Sequence, residues 1–336
     1  MSNLLANCVR LGVLAGFFAA STLSAWACTP SGPGPTGPGT GNLRLREAMD
    51  VDHDCKADYT IFRPTDNTWY TMKSGGGFIA TQFGIASADY MVPGDYDGDG
   101  KGDVAVWRDS TGAWYILNSS TGTVSSAIFG QSGDEPVARD YDGDGKTDLA
   151  VARRYNGYLI WYVARSSDGG FYSAQFGLAT DFTAPGDYDG DGKFDFAIQR
   201  PGDTPTSQAL FYTLNSSNGS VTVTYWGIGT DLVVPGDYDG DGKFDYAVMR
   251  EGPTPSSNLS WYILKSSDGG VIAEQFGITG IDLNAQNDYD GDGITDIAVW
   301  RDPDGLFFVR KSSTGTTDAI VWGLPNDYPV ASYDTH

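Results

Sequence analysis

A nine-residue acidic segment holds the side chains that are best placed to do chemistry. It reads DYDGDGKGD at residues 95–103, with aspartate at loop positions 1, 3, 5 and 9 and glycine at position 6. Carboxylate oxygens at alternate positions suit calcium, and the glycine permits the sharp turn that points the first three aspartates inward. At position 7 the backbone carbonyl of Lys101 would add a further ligand. The segment is not an EF-hand, because position 12 is Val106 instead of glutamate.

Five intact copies of this acidic segment supply the predicted metal ligands. The aspartates are Asp95, Asp97, Asp99 and Asp103; Asp140, Asp142, Asp144 and Asp148; Asp187, Asp189, Asp191 and Asp195; Asp237, Asp239, Asp241 and Asp245; and Asp288, Asp290, Asp292 and Asp296. The position-7 carbonyls are those of Lys101, Lys146, Lys193, Lys243 and Ile294. One such turn alone could be a solvated loop. Five copies in register predict five Ca²⁺ ions that stabilise the fold rather than perform chemistry.

A sixth copy, the first along the chain, is altered. Its aspartates are Asp50, Asp52, Asp54 and Asp58. Their spacing is unchanged, but His53 and Cys55 stand where the other copies have glycine, and Cys55 occupies position 6. The turn at position 6 favours glycine, so a sixth calcium site is in doubt.

The elements that must position these loops repeat along the chain. Successive acidic segments start 45 to 51 residues apart, at residues 50, 95, 140, 187, 237 and 288. A double aromatic such as Trp114-Tyr115 and an aromatic-glycine pair such as Phe129-Gly130 also recur six times. Three independent markers therefore count six units. A period of this length is typical of propeller blades.

Each unit reads as four short strands. In the second unit, apolar runs at 90–92, 104–108, 113–117 and 123–129 are separated by turns rich in Gly, Ser, Asn and Asp. The sequence therefore predicts an all-β protein, a single β-propeller of six four-stranded blades. Seven blades are the alternative, but a seventh repeat is missing. The C-terminal segment 327–334 resembles the strand before each acidic loop, so we expect it to complete the first blade.

These units resemble FG-GAP/VCBS repeats, the blade repeats of integrin α-chain propellers and of many secreted bacterial proteins. The residues that carry the resemblance are the pairs from Phe83-Gly84 onward and the DYDGDGK loops, over about residues 45–334. Departures are Cys55 and the pairs Trp226-Gly227 and Trp322-Gly323, which have Trp for Phe. The resemblance implies a calcium-binding propeller. It leaves function open, because the family includes adhesion modules, lectins and parts of polysaccharide-degrading enzymes.

Composition and the N-terminal segment indicate an exported protein that binds neither nucleic acid nor anionic lipid. The 43 acidic and 21 basic residues give a net charge of −22, whereas phosphate binding draws on Lys and Arg. Residues 1–27 read as a signal peptide, 28–42 as a Pro/Gly-rich linker and 43–336 as the propeller. No segment reaches transmembrane length. Cys28 is either a lipid anchor, which would make this an outer-membrane lipoprotein, or the disulfide partner of Cys55.

The sequence favours recognition over catalysis. Its only histidines are His53 and His336, and it has no Ser/His/Asp or Cys/His set, so we expect no enzyme activity. The leading hypothesis is a secreted or cell-surface recognition or adhesion module for a glycan or a surface protein. The alternatives are a secreted, lyase-like enzyme that acts on polysaccharide and a structural component of the cell envelope.

Two features opposite the acidic loops bear on these alternatives. The turns at 201–209 and 251–259 are longer than their counterparts, through drift or because they bind a ligand. An arginine ends the second strand of every unit: Arg63, Arg108, Arg153, Arg200, Arg250 and Arg301. These arginines form either a ring of cations for an acidic ligand or, as we favour, stacks on the double aromatic.

Overall fold

The computed structural model describes residues 48–331, which form six β-sheets of four antiparallel strands each. Blade 1 contains β24 (Tyr328–Pro329), β1 (Tyr59–Arg63), β2 (Thr68–Met72) and β3 (Phe78–Gln82). Blade 2 contains β4 (Asp89–Met91), β5 (Val104–Arg108), β6 (Ala113–Leu117) and β7 (Val124–Ile128). Blade 3 contains β8 (Glu135–Pro136), β9 (Leu149–Tyr155), β10 (Tyr158–Ala164) and β11 (Phe171–Leu178).

The remaining three blades repeat this order. Blade 4 contains β12 (Phe182–Thr183), β13 (Phe196–Arg200), β14 (Gln208–Leu214) and β15 (Val221–Ile228). Blade 5 contains β16 (Leu232–Val233), β17 (Tyr246–Arg250), β18 (Asn258–Leu264) and β19 (Val271–Ile278). Blade 6 contains β20 (Asp282–Asn284), β21 (Ile297–Arg301), β22 (Leu306–Arg310) and β23 (Thr317–Val321). The predicted six-bladed propeller is confirmed.

Burial follows the strand period of two and increases toward the blade centres. Along β18 every second residue is buried, whereas the outermost strand β19 alternates between exposed and partly buried residues. The second strand of each blade carries a small residue at its second position, and in blades 2 to 6 this alanine is fully buried. A small side chain there lets the neighbouring sheet approach closely.

The aromatic-glycine pair fastens the two middle strands of a blade to the link that follows. In blade 2 the Phe129 carbonyl accepts hydrogen bonds from the indole N–H groups of Trp107 (3.1 Å) and Trp114 (2.8 Å). Gly130 has a φ of 95°, and a Cβ at this position would lie 3.1 Å from Val151 of blade 3. Both the backbone conformation and the available space therefore require glycine.

The C-terminal strand closes the ring. Strand β24 pairs with β1, which joins Ile61 to Pro329 and Phe62 to Tyr328 in register. The Arg63 guanidinium binds Asp327 through two hydrogen bonds of 2.9 and 2.8 Å. Blade 1 is thus built from both ends of the described chain, as predicted, and β24 covers the edge of β1 that would otherwise be open.

A ring of six backbone hydrogen bonds joins the acidic loops of neighbouring blades. In each, the N–H at loop position 8 donates to the position-1 carbonyl of the preceding loop, over 2.6–2.9 Å. The pairs are Gly102 to Asp50, Thr147 to Asp95, Phe194 to Asp140, Phe244 to Asp187, Thr295 to Asp237 and Ala57 to Asp288. The last pair links blade 1 to blade 6, so the loops form a closed circle.

The N-terminal predictions lie outside the described residues. These are the signal peptide 1–27, the linker 28–42 and the fate of Cys28. Cys55 itself is disulfide-bonded, and it is the only cysteine within residues 48–331. Among the described residues, no helix has the length and apolar character that a membrane crossing needs.

Removing the closing strand should destabilise the whole propeller. A chain that ends at Leu324 loses Asp327 and the buried Val330, and it leaves the Arg63 guanidinium unpaired. We expect its free energy of unfolding to fall by at least about 3 kcal/mol, the lower end of the cost of breaking a buried ion pair. Urea unfolding measures the difference. The matched control ends at Ala331; equal stability of the two chains would contradict closure by β24.

Candidate metal centres

All six acidic loops lie at one end of the propeller. In blades 2 to 6 each loop connects the first strand to the second, and an isolated bridge pairs the two ends of the loop, as between Gly94 and Asp103. In blade 1 the loop leads into β1, because the first strand of that blade is the C-terminal β24. The turns between the third and fourth strands lie at the same end, because their serines contact the acidic loops. Antiparallel order then puts the second-to-third turns and the links between blades at the opposite end.

Backbone N–H groups hold the position-1 and position-9 carboxylates in place. In blade 2 the Asp95 carboxylate accepts hydrogen bonds from Gly98 (2.6 Å) and Gly100 (2.8 Å). The Asp103 carboxylate accepts from the N–H groups of Tyr96 (2.8 Å) and Ser119 (2.7 Å). The glycines at loop positions 4 and 6 have φ near 80°, which turns their N–H groups toward position 1.

A pair of serines from the third-to-fourth turn completes each of the five intact centres. In blade 2 the Ser120 hydroxyl donates to Asp97 at position 3 (2.6 Å), and the Ser119 hydroxyl donates to Asp99 at position 5 (2.9 Å). The pairs 166–167, 216–217 and 312–313 make the same two contacts. In blade 5 the Ser267 hydroxyl donates to Asp239, and Ser266 donates through its N–H group to Asp245. Sequence reasoning missed these serine contacts. The recurring Ser-Ser doublet was the available signal.

The loops bring the predicted aspartates close enough to share an ion. Carboxylate oxygens from the following sets lie within 4.8 Å of one another: Asp50, Asp52 and Asp58; Asp95, Asp97 and Asp99; Asp140, Asp142 and Asp148; Asp187, Asp189 and Asp195; Asp237, Asp239 and Asp245. In blade 6, Asp288 and Asp290 lie near enough to Asp296 to raise its pKa. The position-7 carbonyls stay a prediction. Their N–H groups donate to position 5, as Lys101 does to Asp99 (3.0 Å).

Three orphaned oxygens show that these centres fit a cation. At position 3, Asp52, Asp97 and Asp239 each have a buried Oδ1 atom without a hydrogen-bond donor. A buried carboxylate oxygen needs a donor or a cation, since leaving it unpaired carries the full cost of desolvation. All-oxygen donors of this kind suit a hard divalent ion. The acidic clusters could therefore hold metal ions.

Burial raises the pKa of most position-1 and position-9 aspartates, and neighbouring carboxylates raise it further. The pKa rises to about 6 for Asp95, Asp140, Asp148, Asp195 and Asp237. It rises to about 7 for Asp58, Asp187, Asp245 and Asp296. Backbone N–H donors oppose the shift without cancelling it. A bound cation would replace these protons and keep the carboxylates ionised.

The altered first loop has the same backbone shape as the others. His53 and Cys55 have φ values of 62° and 71°, in the left-handed region that glycine occupies elsewhere. Asp50 still accepts hydrogen bonds, from Asp54 and Cys55 (3.1 and 2.9 Å). Two differences weaken this centre. The Lys73 ammonium lies 3.7 Å from Asp52, and Gly75 occupies the place of the second serine.

The strand-end arginines stack on aromatic rings, as favoured from the sequence. Each guanidinium carbon lies 4.4–4.9 Å from the centre of the second ring of the double aromatic. Each arginine also binds a buried aspartate: Asp327, Asp89, Asp134, Asp181, Asp231 and Asp282. The alternative prediction, that these arginines form a ring of cations for an acidic ligand, is therefore wrong. These aspartates were missed, although five of them lie 19 residues before their arginine.

The two long turns resemble each other. They span 201–207 and 251–257, since β14 and β18 start at Gln208 and Asn258. In both, a threonine hydroxyl and a serine hydroxyl share a hydrogen bond, Thr204 with Ser207 and Thr254 with Ser257. The extra residues thus form the same structured turn in both blades. Their length by itself does not indicate a ligand.

Comparison with known proteins agrees with this architecture. Six blades with acidic loops define a β-propeller with candidate metal sites. A family model for FG-GAP-like repeats matches residues 50–106 and 140–198, which include four of the acidic loops. The chain is therefore a six-bladed β-propeller that contains FG-GAP-like repeats, as the resemblance implied. No curated protein matches the sequence.

Solved propellers resemble the chain at low identity. One is a catalytically inactive virginiamycin B lyase from Staphylococcus aureus with quinupristin (9% identity, TM-score 0.45, 81% of this chain and 86% of that chain). Another is a triple arginine mutant of AofleA from Arthrobotrys oligospora (10%, 0.48, 87% and 91%). A third is the Dos1 propeller (14%, 0.40, 78% and 67%). At this level of similarity they say nothing about function.

With metal removed by a chelator, we expect the protein to be less stable at pH 8 than at pH 5. The buried loop aspartates have pKa values of about 6 to 7 in the fold and about 4 when unfolded. The folded state therefore binds more protons between these values. This stabilisation is complete below about pH 4 and is lost as the pH rises through 6 to 7. Thermal unfolding in chelator at both pH values measures it.

The control for this pH dependence is the same comparison in excess divalent metal. A bound cation competes with protons, so metal should remove or reverse the loss of stability at pH 8. A melting temperature in chelator that does not change between pH 5 and pH 8 would contradict the assigned shifts.

Proposed function

We propose that this protein is an exported, calcium-stabilised propeller that acts as a non-catalytic recognition module for a surface glycan or protein. The observation that carries the proposal is a ring of exposed apolar side chains at the end opposite the acidic loops. The ring contains Tyr90, Phe182, Leu232, Leu283 and Tyr328, which are 38–53% exposed. Each is the residue after the arginine-bound aspartate, so the fold presents them together. Clustered exposed apolar side chains mark interaction sites.

The acidic loops have a structural role in this proposal. Their backbones form the closed hydrogen-bonded circle, and their carboxylates are held by glycine and serine donors. An ion bound there would stabilise the scaffold and would have little freedom to take part in turnover. The match to FG-GAP-like repeats supports calcium as the ion, because repeats of this family often bind Ca²⁺.

Two further observations support export and the absence of catalysis. Cys55 is disulfide-bonded, and stable disulfides are found mainly in oxidising compartments. His53, the only histidine among the described residues, lies against the neighbouring loop, with Nδ1 2.6 Å from the Gly100 carbonyl. It is therefore poorly placed to act as a general base.

The purified chain should bind about five Ca²⁺ ions, one for each intact loop. At a calcium concentration one hundred times the Kd, each site would add about 2.7 kcal/mol of stability. We expect chelator to lower the melting temperature by at least about 5 °C. Elemental analysis after gel filtration gives the number of ions, and scanning calorimetry gives the shift.

Asp239→Asn tests the assignment of individual ligands to calcium. The amide oxygen can still accept from Ser267, but the charge next to the orphaned oxygen is lost. We expect one ion fewer than in the unaltered chain. The matched control is Asp203→Asn, at an exposed aspartate outside the loops. An unchanged number of ions in Asp239→Asn, or the same loss in the control, would contradict the assignment.

The recognition function is tested with a panel of polysaccharides and intact cell surfaces, with the chain in calcium. We expect binding of at least one of them without turnover. The double variant Phe182→Ser/Tyr328→Ser should weaken binding by about tenfold or more, because it removes two exposed aromatic side chains from the apolar ring at the mouth of the channel. The control is Phe171→Ser/Val321→Ser, which alters two still more exposed apolar residues on outer strands. Product release from a polysaccharide, or no binding by folded protein, would overturn the proposal.

A further inference from the structure

We propose that the channel mouth of this propeller holds a binding site for one neutral sugar residue, built around Glu135 and Arg154. The inference rests on the proposed function and names the ligand class and the residues that would take it.

The site is found where the six-fold repeat breaks. The residue after the arginine-bound aspartate is apolar in five blades and is Glu135 in blade 3. Arg154 is also an exception, because the corresponding residues elsewhere are Pro64, Asp109, Pro201, Glu251 and Asp302. In none of the other five blades do these two positions hold an oppositely charged pair. The pair is therefore a candidate for a specific role.

The pair is held rigidly. Arg154 Nε donates to the Ala179 carbonyl (3.0 Å) and Nη2 to the Asp181 carbonyl (3.1 Å), while Nη1 binds the Glu135 carboxylate. The other Glu135 oxygen accepts from the Thr183 hydroxyl of blade 4. Because these side chains are already ordered, ligand binding would cost less conformational entropy.

Hydrogen-bonding capacity is left over on both charged groups. A guanidinium has five N–H donors, and Arg154 uses three of them. Each Glu135 oxygen accepts one hydrogen bond and can accept another. Because Arg154 Nη1 is bonded to a Glu135 oxygen, these free donors and acceptors belong to adjacent groups. This arrangement suits neighbouring hydroxyl groups, each of which donates one hydrogen bond and accepts another.

Aromatic rings flank the pair on both sides. Tyr90 of blade 2 and Phe182 of blade 4 occupy the ring positions next to Glu135 and line the same cavity. Exposed aromatic faces stack on the apolar C–H face of a sugar ring. The cavity also contains Arg154 and Thr183, and its volume is about 400 Å³. This size lies within the usual range for small-molecule sites.

Charge balance selects a neutral ligand. Glu135 and Arg154 cancel each other, so an acidic sugar would meet the carboxylate and a cationic one would meet the guanidinium. The other residues of the apolar ring carry no charge. Two further charged residues line the cavity, and both are engaged elsewhere: Asp134 is paired with Arg153, and Arg139 donates to the Ala138 carbonyl and lies over the Phe194 ring. A neutral polyhydroxylated ring satisfies both the polar pair and the aromatic flanks.

Saturation-transfer NMR with the full chain in calcium tests this site. The probes are the methyl glycosides of glucose, galactose, mannose, fucose, rhamnose and N-acetylglucosamine, with methyl glucuronide as an acidic comparison. We expect at least one neutral glycoside to bind and methyl glucuronide to bind more weakly. Glu135→Gln and Arg154→Gln should each weaken binding by about tenfold or more, because each removes a charged hydrogen-bond partner. Phe182→Ala should do the same by removing the stacking face.

The chain offers closely matched controls. Glu274 and Arg310 form an ion pair on outer strands, with side chains 29% and 40% exposed compared with 31% and 37% for Glu135 and Arg154. Glu274→Gln, Arg310→Gln and the exposed Phe171→Ala should leave glycoside binding unchanged. Melting temperatures of all variants show whether the fold is retained.

Three results would overturn the inference: no neutral glycoside binds, methyl glucuronide binds best, or binding survives in both Glu135→Gln and Arg154→Gln. If the folded chain still binds a polysaccharide or a cell surface in any of these cases, only this site assignment fails. If it binds none of those surfaces either, the recognition function fails as well.

Discussion

The hydrogen bond from position 8 of one acidic loop to position 1 of the preceding loop is the interaction on which the ring depends. All six blades make this backbone hydrogen bond to a neighbour in the same way, and the last of the six joins blade 1 to blade 6. The same loops carry the carboxylates. The conformation of a candidate metal centre and the integrity of the hydrogen-bonded circle therefore depend on each other. A loop that lost its shape would break two of these hydrogen bonds. One is donated by its own position 8 to the preceding loop, and the other is accepted by its position-1 carbonyl from the following loop.

At the other end, each blade is held by contacts within itself. The buried aspartate at the start of the first strand binds the arginine at the end of the second, and the arginine stacks on an aromatic ring of the third. Three strands are thereby fixed at one corner without metal. The two ends of the propeller therefore differ in how they are stabilised. One is circular and acidic, and the other is made of six such corners, of which those of blades 3 and 4 are linked by the hydrogen bond from Arg154 to the Asp181 carbonyl.

Much of this architecture could be predicted from the sequence, because it depends on repeated local patterns. The strands 104–108 and 113–117 lie as predicted, and β24 closes blade 1. What failed depends on partners far apart in the chain. Asp134 and Arg153 are separated by the same 19 residues as their counterparts in four other blades. Nothing in the local sequence shows that they form an ion pair. The left-handed backbone of His53 and Cys55 runs against residue preference and persists because neighbouring loops fix it. The cavity at the mouth needs side chains from several blades at once.

The acidic loops contain 24 of the 43 acidic residues but only 5 of the 21 basic ones, which leaves 19 acidic and 16 basic residues in the rest of the chain. Most of the excess charge thus lies in the loops at one end of the molecule. The propeller therefore has an electrostatic axis that runs along its channel. Near a negatively charged surface, the acidic end is repelled and the molecule turns its other end toward that surface before any contact forms. Ions that enter the loops shorten this axis, so their concentration would set how strongly each encounter is oriented.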